Sequence, residues 1–209
     1  MNEIARTQQR TRGYWYCDGI AELVGGIAMA LVGFPMIASA RTGIDMLSTV
    51  ALMLMILLFP ASAHVVRLLK DRITHARTGY VKYPRHTMSK GRKLLLFALF
   101  LCTALAMLLT LWGGEYTLDG IAGKAFLMGA GVGMTVAFAV RAAKLRIPRL
   151  YANAVVVAAI TVASALVGFG FIEGMGLLLA VLGATSVITG GVTLASYIRR
   201  HPKAPVESS

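Results

Sequence analysis

The chain has 209 residues, of which 57% are hydrophobic and 14% are charged, and its mean hydropathy is +0.70. Soluble domains average about 45–50% apolar and about 25% charged residues, so this composition excludes both an ordinary soluble domain and a disordered chain. The formal net charge is +12, from 21 Lys and Arg against 9 Asp and Glu. In a membrane protein such an excess first reflects the orientation of the chain in the bilayer.

Six apolar runs are each long enough to cross the hydrocarbon core as a helix, which takes about 20 residues. The runs cover residues 20–38, 46–63, 94–112, 121–140, 152–171 and 175–197. A chain in lipid must satisfy its own backbone hydrogen bonds, which favours helices. The sequence therefore predicts an all-α integral membrane protein with six transmembrane helices arranged as three helical hairpins. This membrane domain occupies residues 18–200, between an N-terminal segment at 1–17 and a tail at 201–209.

The basic residues are concentrated in every second connection between these runs and at the two ends of the chain. Nineteen of the 21 Lys and Arg precede the first run, separate the second from the third or the fourth from the fifth, or follow the sixth. The positive-inside rule then predicts that both termini and the basic loop at 65–93 are cytoplasmic. The expected location is a plasma membrane, crossed several times.

Small residues predict where the helices pack, because lipid provides no hydrophobic drive between them and close backbone approach replaces it. The pairs Gly25–Gly26 and Gly190–Gly191 lie about seven residues, or roughly 10 Å, from the cytoplasmic ends of the first and sixth spans. We expect these two spans to contact each other at that depth. The glycine pairs serve either as packing faces, which is the favoured interpretation, or as hinges.

Four polar residues at the predicted cytoplasmic ends of the first two spans form a candidate polar cluster: Asp18, Glu22, His64 and Arg67. Asp18 and Glu22 are four residues apart, hence on one helical face, and Asp18 also suits a helix N-cap. One hypothesis is a titratable pair of Glu22 with His64 at the inner mouth of a cavity. The alternative is a structural cap with an interhelical salt bridge, since charges this near a helix end reach the interface.

The basic loop follows the second span. Val65, Leu69 and Ile73 share one helical face with Arg67 and Lys70 mostly opposite, so we expect the helix to continue as an amphipathic segment on the membrane surface. Four cations are candidate contacts for anionic lipids: Arg72, Arg77, Lys82 and Arg85. About 27 residues are too few for a nucleic-acid-binding module, so lipid rather than nucleic acid is the expected partner.

Two short patches carry a resemblance. Tyr14, Tyr16, Asp18, Gly19 and Glu22 form a Tyr-rich segment with an Asp-Gly step, and residues 77–81 read RTGYV. In these patches the chain resembles a family of small polytopic bacterial inner-membrane proteins of uncharacterised function. The resemblance implies a bacterial inner membrane and brings no activity with it.

No catalytic signature or ligand set appears in the sequence, so no cofactor or metal is predicted. No Asp, Glu, Lys or Arg lies near the centre of any run, which argues against an ion-coupled carrier, whereas a carrier for a neutral or apolar substrate would not require such a charge. The leading hypothesis is a non-enzymatic, small transporter-like or membrane-partner protein with a basic, lipid-facing loop. The alternatives are a membrane-embedded lipid-modifying enzyme that uses the candidate polar cluster, and an assembly scaffold. A homo-oligomer or a membrane-protein partner is compatible with each.

Overall fold

The computed structural model describes residues 16–74 and 121–202, with side chains from residue 123 onward in the second range. These residues form helices and no strand, and five helices are long and apolar enough to span a membrane. The five are α1 (Ile20–Thr42), α2 (Asp45–Leu69), α3 (Ile121–Leu145), α4 (Arg149–Val167) and α5 (Phe171–Arg200). The all-helical prediction is confirmed to this extent. The predicted span at 94–112 lies outside the described residues, so six helices in three hairpins remain a prediction.

Two of the differences between the helix ends and the apolar runs change how the chain is divided into helices. α2 continues beyond residue 63 to Leu69 and then through a π-helical turn, Lys70–Thr74. The predicted span at 152–171 is interrupted, because Gly168 takes a left-handed conformation with φ 76° and its N–H bonds to the carbonyl of Ser164. Phe171 therefore begins α5 instead of ending α4. Hydropathy alone does not register this C-cap, since the residues on both sides of the glycine are apolar.

The helices pack in the order α2, α1, α5, α4, with α3 against both α4 and α5. The described connections are short: residues 43–44 join α1 to α2, residues 146–148 join α3 to α4, and residues 168–170 join α4 to α5. The helices joined by these three connections are therefore antiparallel. The beginnings of α1 and α4 meet the ends of α2, α3 and α5 at one end of the bundle, which we call the charged end.

α1 and α5 form the most extensive interface of the described helices, and glycines recur there every seven residues on both helices. We call these six residues the glycine seam: Gly19, Gly26 and Gly33 against Gly190, Gly183 and Gly176. A Cβ atom added to Gly26 would lie 2.7 Å from the carbonyl oxygen of Gly183, and one added to Gly183 would lie 2.6 Å from the amide nitrogen of Ala30. The two backbones are thus in direct contact, which only glycine permits at these positions.

The predicted contact between the first and sixth spans is confirmed, with a different set of glycines. Gly26 and Gly190 belong to the seam, whereas a Cβ on Gly25 would meet no atom within 4 Å and one on Gly191 only Leu23 Cδ1 at 3.7 Å. Both helices run without a break through these positions. The glycines therefore act as a packing face and not as hinges in this structure.

The neighbouring residues Gly25 and Gly26 provide a matched test of the seam. Gly26→Ala should destabilise the protein by about 1–3 kcal/mol, because the new methyl group meets backbone atoms of α5 that cannot move aside. Gly25→Ala should be neutral or stabilising by up to about 1 kcal/mol, since alanine is the better helix former and the space is open. Unfolding of the purified protein in detergent measures both. Equal effects of the two substitutions would contradict the seam.

Candidate functional site

Asp18 is completely buried at the charged end, immediately before α1. Its Oδ1 accepts a hydrogen bond of 3.2 Å from the backbone N–H of Ile20. Its Oδ2 accepts from Lys70 Nζ at 2.7 Å and from Thr74 Oγ1 at 2.9 Å. The cap position itself is taken by Gly19, at φ 71°. The carboxylate therefore fixes the beginning of α1 to the π-helical turn after α2.

Lys70 reaches Asp18 because it lies on the same buried face as Val66, the face by which α2 and its π-helical extension pack against α1. Val66, Lys70 and Thr74 are buried and follow one another at four-residue spacing, whereas Val65 is exposed. The helix does continue beyond the second span as expected, but Lys70 lies on its buried face and not on a polar face opposite the apolar one. A buried lysine is tolerated there because its ammonium group contacts the carboxylate of Asp18 and is hydrogen-bonded to it.

Glu22 pairs with the first residue of α4. Its Oε1 accepts a hydrogen bond of 2.9 Å from Arg149 Nε. Arg149 Nη1 donates to Thr193 Oγ1 at 2.8 Å, and Nη2 donates to the carbonyl oxygen of Tyr16. One guanidinium group thus joins α4 to α1, to α5 and to the segment before α1. Arg149 uses three of its five N–H donors in these contacts.

The structure does not assemble the candidate polar cluster as one site. Asp18 and Glu22 are both largely buried at the charged end, but their partners are Lys70 and Arg149. His64 and Arg67 are exposed on α2. The predicted pairing of Glu22 with His64 is wrong, because the buried face of α2 passes through Val66 and Lys70 and turns His64 away from α1. The alternative prediction of a salt bridge between helices is correct in kind, with other partners.

Of the four candidate lipid contacts, Arg72 lies exposed in the π-helical turn. Arg77, Lys82 and Arg85 lie outside the described residues. The lipid contacts therefore stay a prediction.

Cys17 is half-buried and precedes Asp18 in the sequence. Burial raises the pKa of its thiol above the ordinary value, and the negative charge of Asp18 raises it further, against smaller opposing effects of Lys70 and Arg149. Near neutral pH the group is therefore a thiol, and a thiol is a poor nucleophile compared with a thiolate. The geometry gives no support to covalent chemistry at this residue.

A row of polar residues follows the buried side of α4 from the charged end toward the opposite end. We call Asn153, Thr161 and Ser164 the α4 polar face; they are three of the seven buried residues of this helix. Asn153 Nδ2 is 3.5 Å from Ser186 Oγ on α5, at the long limit of a hydrogen bond. Among the described residues, neither Asn153 Oδ1 nor Ser164 Oγ has a hydrogen-bond partner. The second oxygen of Glu22, Oε2, is likewise buried without a partner there.

A cavity of about 540 Å³ opens at the charged end, which we call the end cavity. Arg149, Arg200 and His201 line it together with the hydroxyl-bearing residues Thr193 and Ser196. His201 is held by stacking on Tyr197, with ring centroids 4.6 Å apart, and by a contact of 3.1 Å from its Nδ1 to the Tyr197 carbonyl oxygen. The lining carries positive and neutral polar groups, and none of its residues is acidic.

Comparisons of the chain with protein-family models, with curated proteins and with solved structures give no match. Within residues 16–74 and 121–202, no three His, Cys, Asp or Glu side chains are grouped closely enough to hold a metal ion. The described site thus consists of two buried ion pairs, a neutral polar face and a basic cavity.

A double-mutant cycle distinguishes the observed partner of Glu22 from the predicted one. Glu22→Gln and Arg149→Gln should each destabilise the protein by about 2–4 kcal/mol, because each leaves a buried charge unpaired, and the double variant should lose less than the sum. Glu22→Gln combined with His64→Gln should be additive within about 0.5 kcal/mol. Chemical unfolding in detergent measures these four variants and the single variant His64→Gln, which the second cycle also requires. Coupling of Glu22 to His64 and not to Arg149 would show that the assignment is mistaken.

Proposed function

We propose that this chain is a non-enzymatic, transporter-like membrane protein whose path for a small uncharged polar solute follows the α4 polar face. The observation that carries the proposal is Asn153, which is 2% exposed and has a carbonyl oxygen without a partner among the described residues. An unsatisfied polar group within lipid is expensive and is retained where it faces water or a permeating solute.

The extent of the polar face supports this proposal. Fifteen residues separate Arg149 from Ser164, which corresponds to about 22 Å along a helix, most of the roughly 30 Å hydrocarbon core. Along this length the buried polar side chains of α4 are a neutral amide near the charged end and two hydroxyls toward the other end, with the apolar Val157 and Ile160 between them. Such a lining exchanges hydrogen bonds with a neutral solute and offers no charge to stabilise an ion.

The alternative of a lipid-modifying enzyme receives less support. It requires Asp18, Glu22, His64 and Arg67 to act together, and the first two are in ion pairs with other residues while the last two are exposed elsewhere. The hypothesis of an assembly scaffold is tested by the flux experiment below. A stable protein that transports no solute would favour that hypothesis.

The transport proposal is tested with proteoliposomes that contain the purified full chain, by light scattering after an osmotic step with glycerol or urea. Asn153→Leu should reduce the solute flux about tenfold, because the apolar side chain keeps the volume and removes both hydrogen-bonding groups. Ser164→Ala should reduce the flux in the same direction. Ser62→Ala is the matched control, since Ser62 is on α2 and its hydroxyl bonds to its own helix at Phe59.

The stability of Asn153→Leu separates a path from a structural role. Replacing a poorly partnered buried amide with leucine is expected to be neutral or stabilising, so a lower flux cannot come from unfolding. Flux equal to that of empty liposomes, or unchanged by Asn153→Leu, would contradict the transport proposal.

The orientation belongs to the same proposal. We propose a bacterial inner membrane, six spans in three hairpins, both termini in the cytoplasm, and anionic lipids at the basic loop with Arg72, Arg77, Lys82 and Arg85. The excess of cations at the charged end supports that end as the cytoplasmic one. A homo-oligomer is compatible with this arrangement.

Single-cysteine labelling tests the orientation in a background without Cys17 and Cys102. An impermeant maleimide added to intact cells should label Thr42→Cys, which is exposed at the end opposite the charged end, and not Arg146→Cys, which is exposed at the charged end. Both positions should react after the cells are opened. Labelling of Arg146→Cys but not Thr42→Cys in intact cells would reverse the proposed orientation.

A further inference from the structure

We infer that the end cavity is a binding site for a phosphate-bearing anion. Its volume, about 540 Å³, lies within the range of small-molecule sites. Its lining offers two guanidinium groups, those of Arg149 and Arg200, and no carboxylate. Guanidinium groups are the side chains best suited to phosphate, because their planar donors match its oxygens in pairs.

Arg149 is pre-positioned for this role. Its contacts with Glu22, Thr193 and the Tyr16 carbonyl use three N–H donors and hold the group rigidly, and two donors stay unused in the described structure. The carboxylate of Glu22 pairs with Nε of Arg149 and compensates part of its charge, so the cavity attracts an anion chiefly through Arg149 and Arg200 together.

Arg200 and Ser196 complete the donor set. Arg200 is exposed and makes no ion pair within the described part of the chain, so its charge is available to a ligand. Ser196 contributes a hydroxyl that bonds to no described residue. The hydroxyl of Thr193 is committed, because it accepts from Arg149 and donates to the carbonyl oxygen of Thr189 at 2.7 Å.

Two sources could supply such a phosphate, namely an anionic lipid headgroup and a free phosphate. The site lies at the level where α4 begins and α5 ends, so either can reach it. The inference does not depend on transport, since binding is measured without a gradient. Asn153→Leu, expected to lower the flux, should leave anion binding unchanged, which keeps the two proposals separable.

The test uses the full-length protein in neutral detergent, with phosphatidylglycerol, phosphatidylcholine and inorganic phosphate as probes in native mass spectrometry and equilibrium titration. Arg200→Gln should weaken phosphatidylglycerol or phosphate binding about fivefold, the effect expected of one cation near a phosphate. Ser196→Ala should weaken it about twofold. Arg199→Gln is the matched control, because Arg199 is exposed, adjacent in sequence and outside the cavity lining.

The three probes also distinguish a lipid headgroup from a free phosphate as the ligand. A lipid headgroup is indicated if phosphatidylglycerol binds in preference to phosphatidylcholine and millimolar inorganic phosphate does not displace it. A free anion is indicated if inorganic phosphate binds without lipid and Arg200→Gln weakens that binding. Equal losses of binding affinity in Arg199→Gln and Arg200→Gln would show only a general attraction between cations and the anion, and would overturn the proposed site. Unchanged affinity in a folded Arg200→Gln variant would overturn it too.

Discussion

The rest of the described structure depends on the glycine seam. Two antiparallel helices can keep their backbones in contact over several turns only if small residues recur at one spacing on both, and here that spacing is seven residues on each side of the seam. A strict seven-residue repeat keeps the contact on one face when the helices wind around each other. Because Gly19 lies against the backbone of Gly190, the seam fixes the height of the residue before it, Asp18, relative to α5.

The arrangement of charges at the charged end follows from this register. The beginning of α1 and the residue two positions before it bring two carboxylates to one end of the bundle. Each pairs with a cation distant in sequence, Lys70 in the turn after α2 and Arg149 at the start of α4. Removing either partner would leave a buried charge, whereas the intact pairs contribute little net stability. Their structural consequence is a fixed placement of α2 and α4 on either side of the α1–α5 pair.

The sequence predicts the helices well and the site less well. Apolar runs identify five described helices, since a span of that length has few alternatives in lipid, and the glycine pairs indicate that α1 meets α5. The partners of Asp18 and Glu22 are harder to predict, because α2 is apolar on every side and no periodicity shows that Lys70 rather than His64 faces α1. The two sets of glycines that form the seam were also visible in the sequence by their seven-residue spacing. Adjacent pairs such as Gly25–Gly26 indicate the contact between the helices but not which glycine of each pair lies in it.

Arg149 connects the end cavity with the α4 polar face, since it lines the first and lies one helical turn from Asn153 on the second. Beyond that turn the buried polar groups are an amide and hydroxyls. An ion moving along them would lose its hydration without meeting an opposite charge, and a charge near the bilayer centre costs at least about 3 kcal/mol. A neutral solute loses only hydrogen bonds, which Asn153 Oδ1 and Ser164 Oγ can replace. If both proposals hold, an anion bound at the charged end would therefore be excluded from the proposed path beyond it.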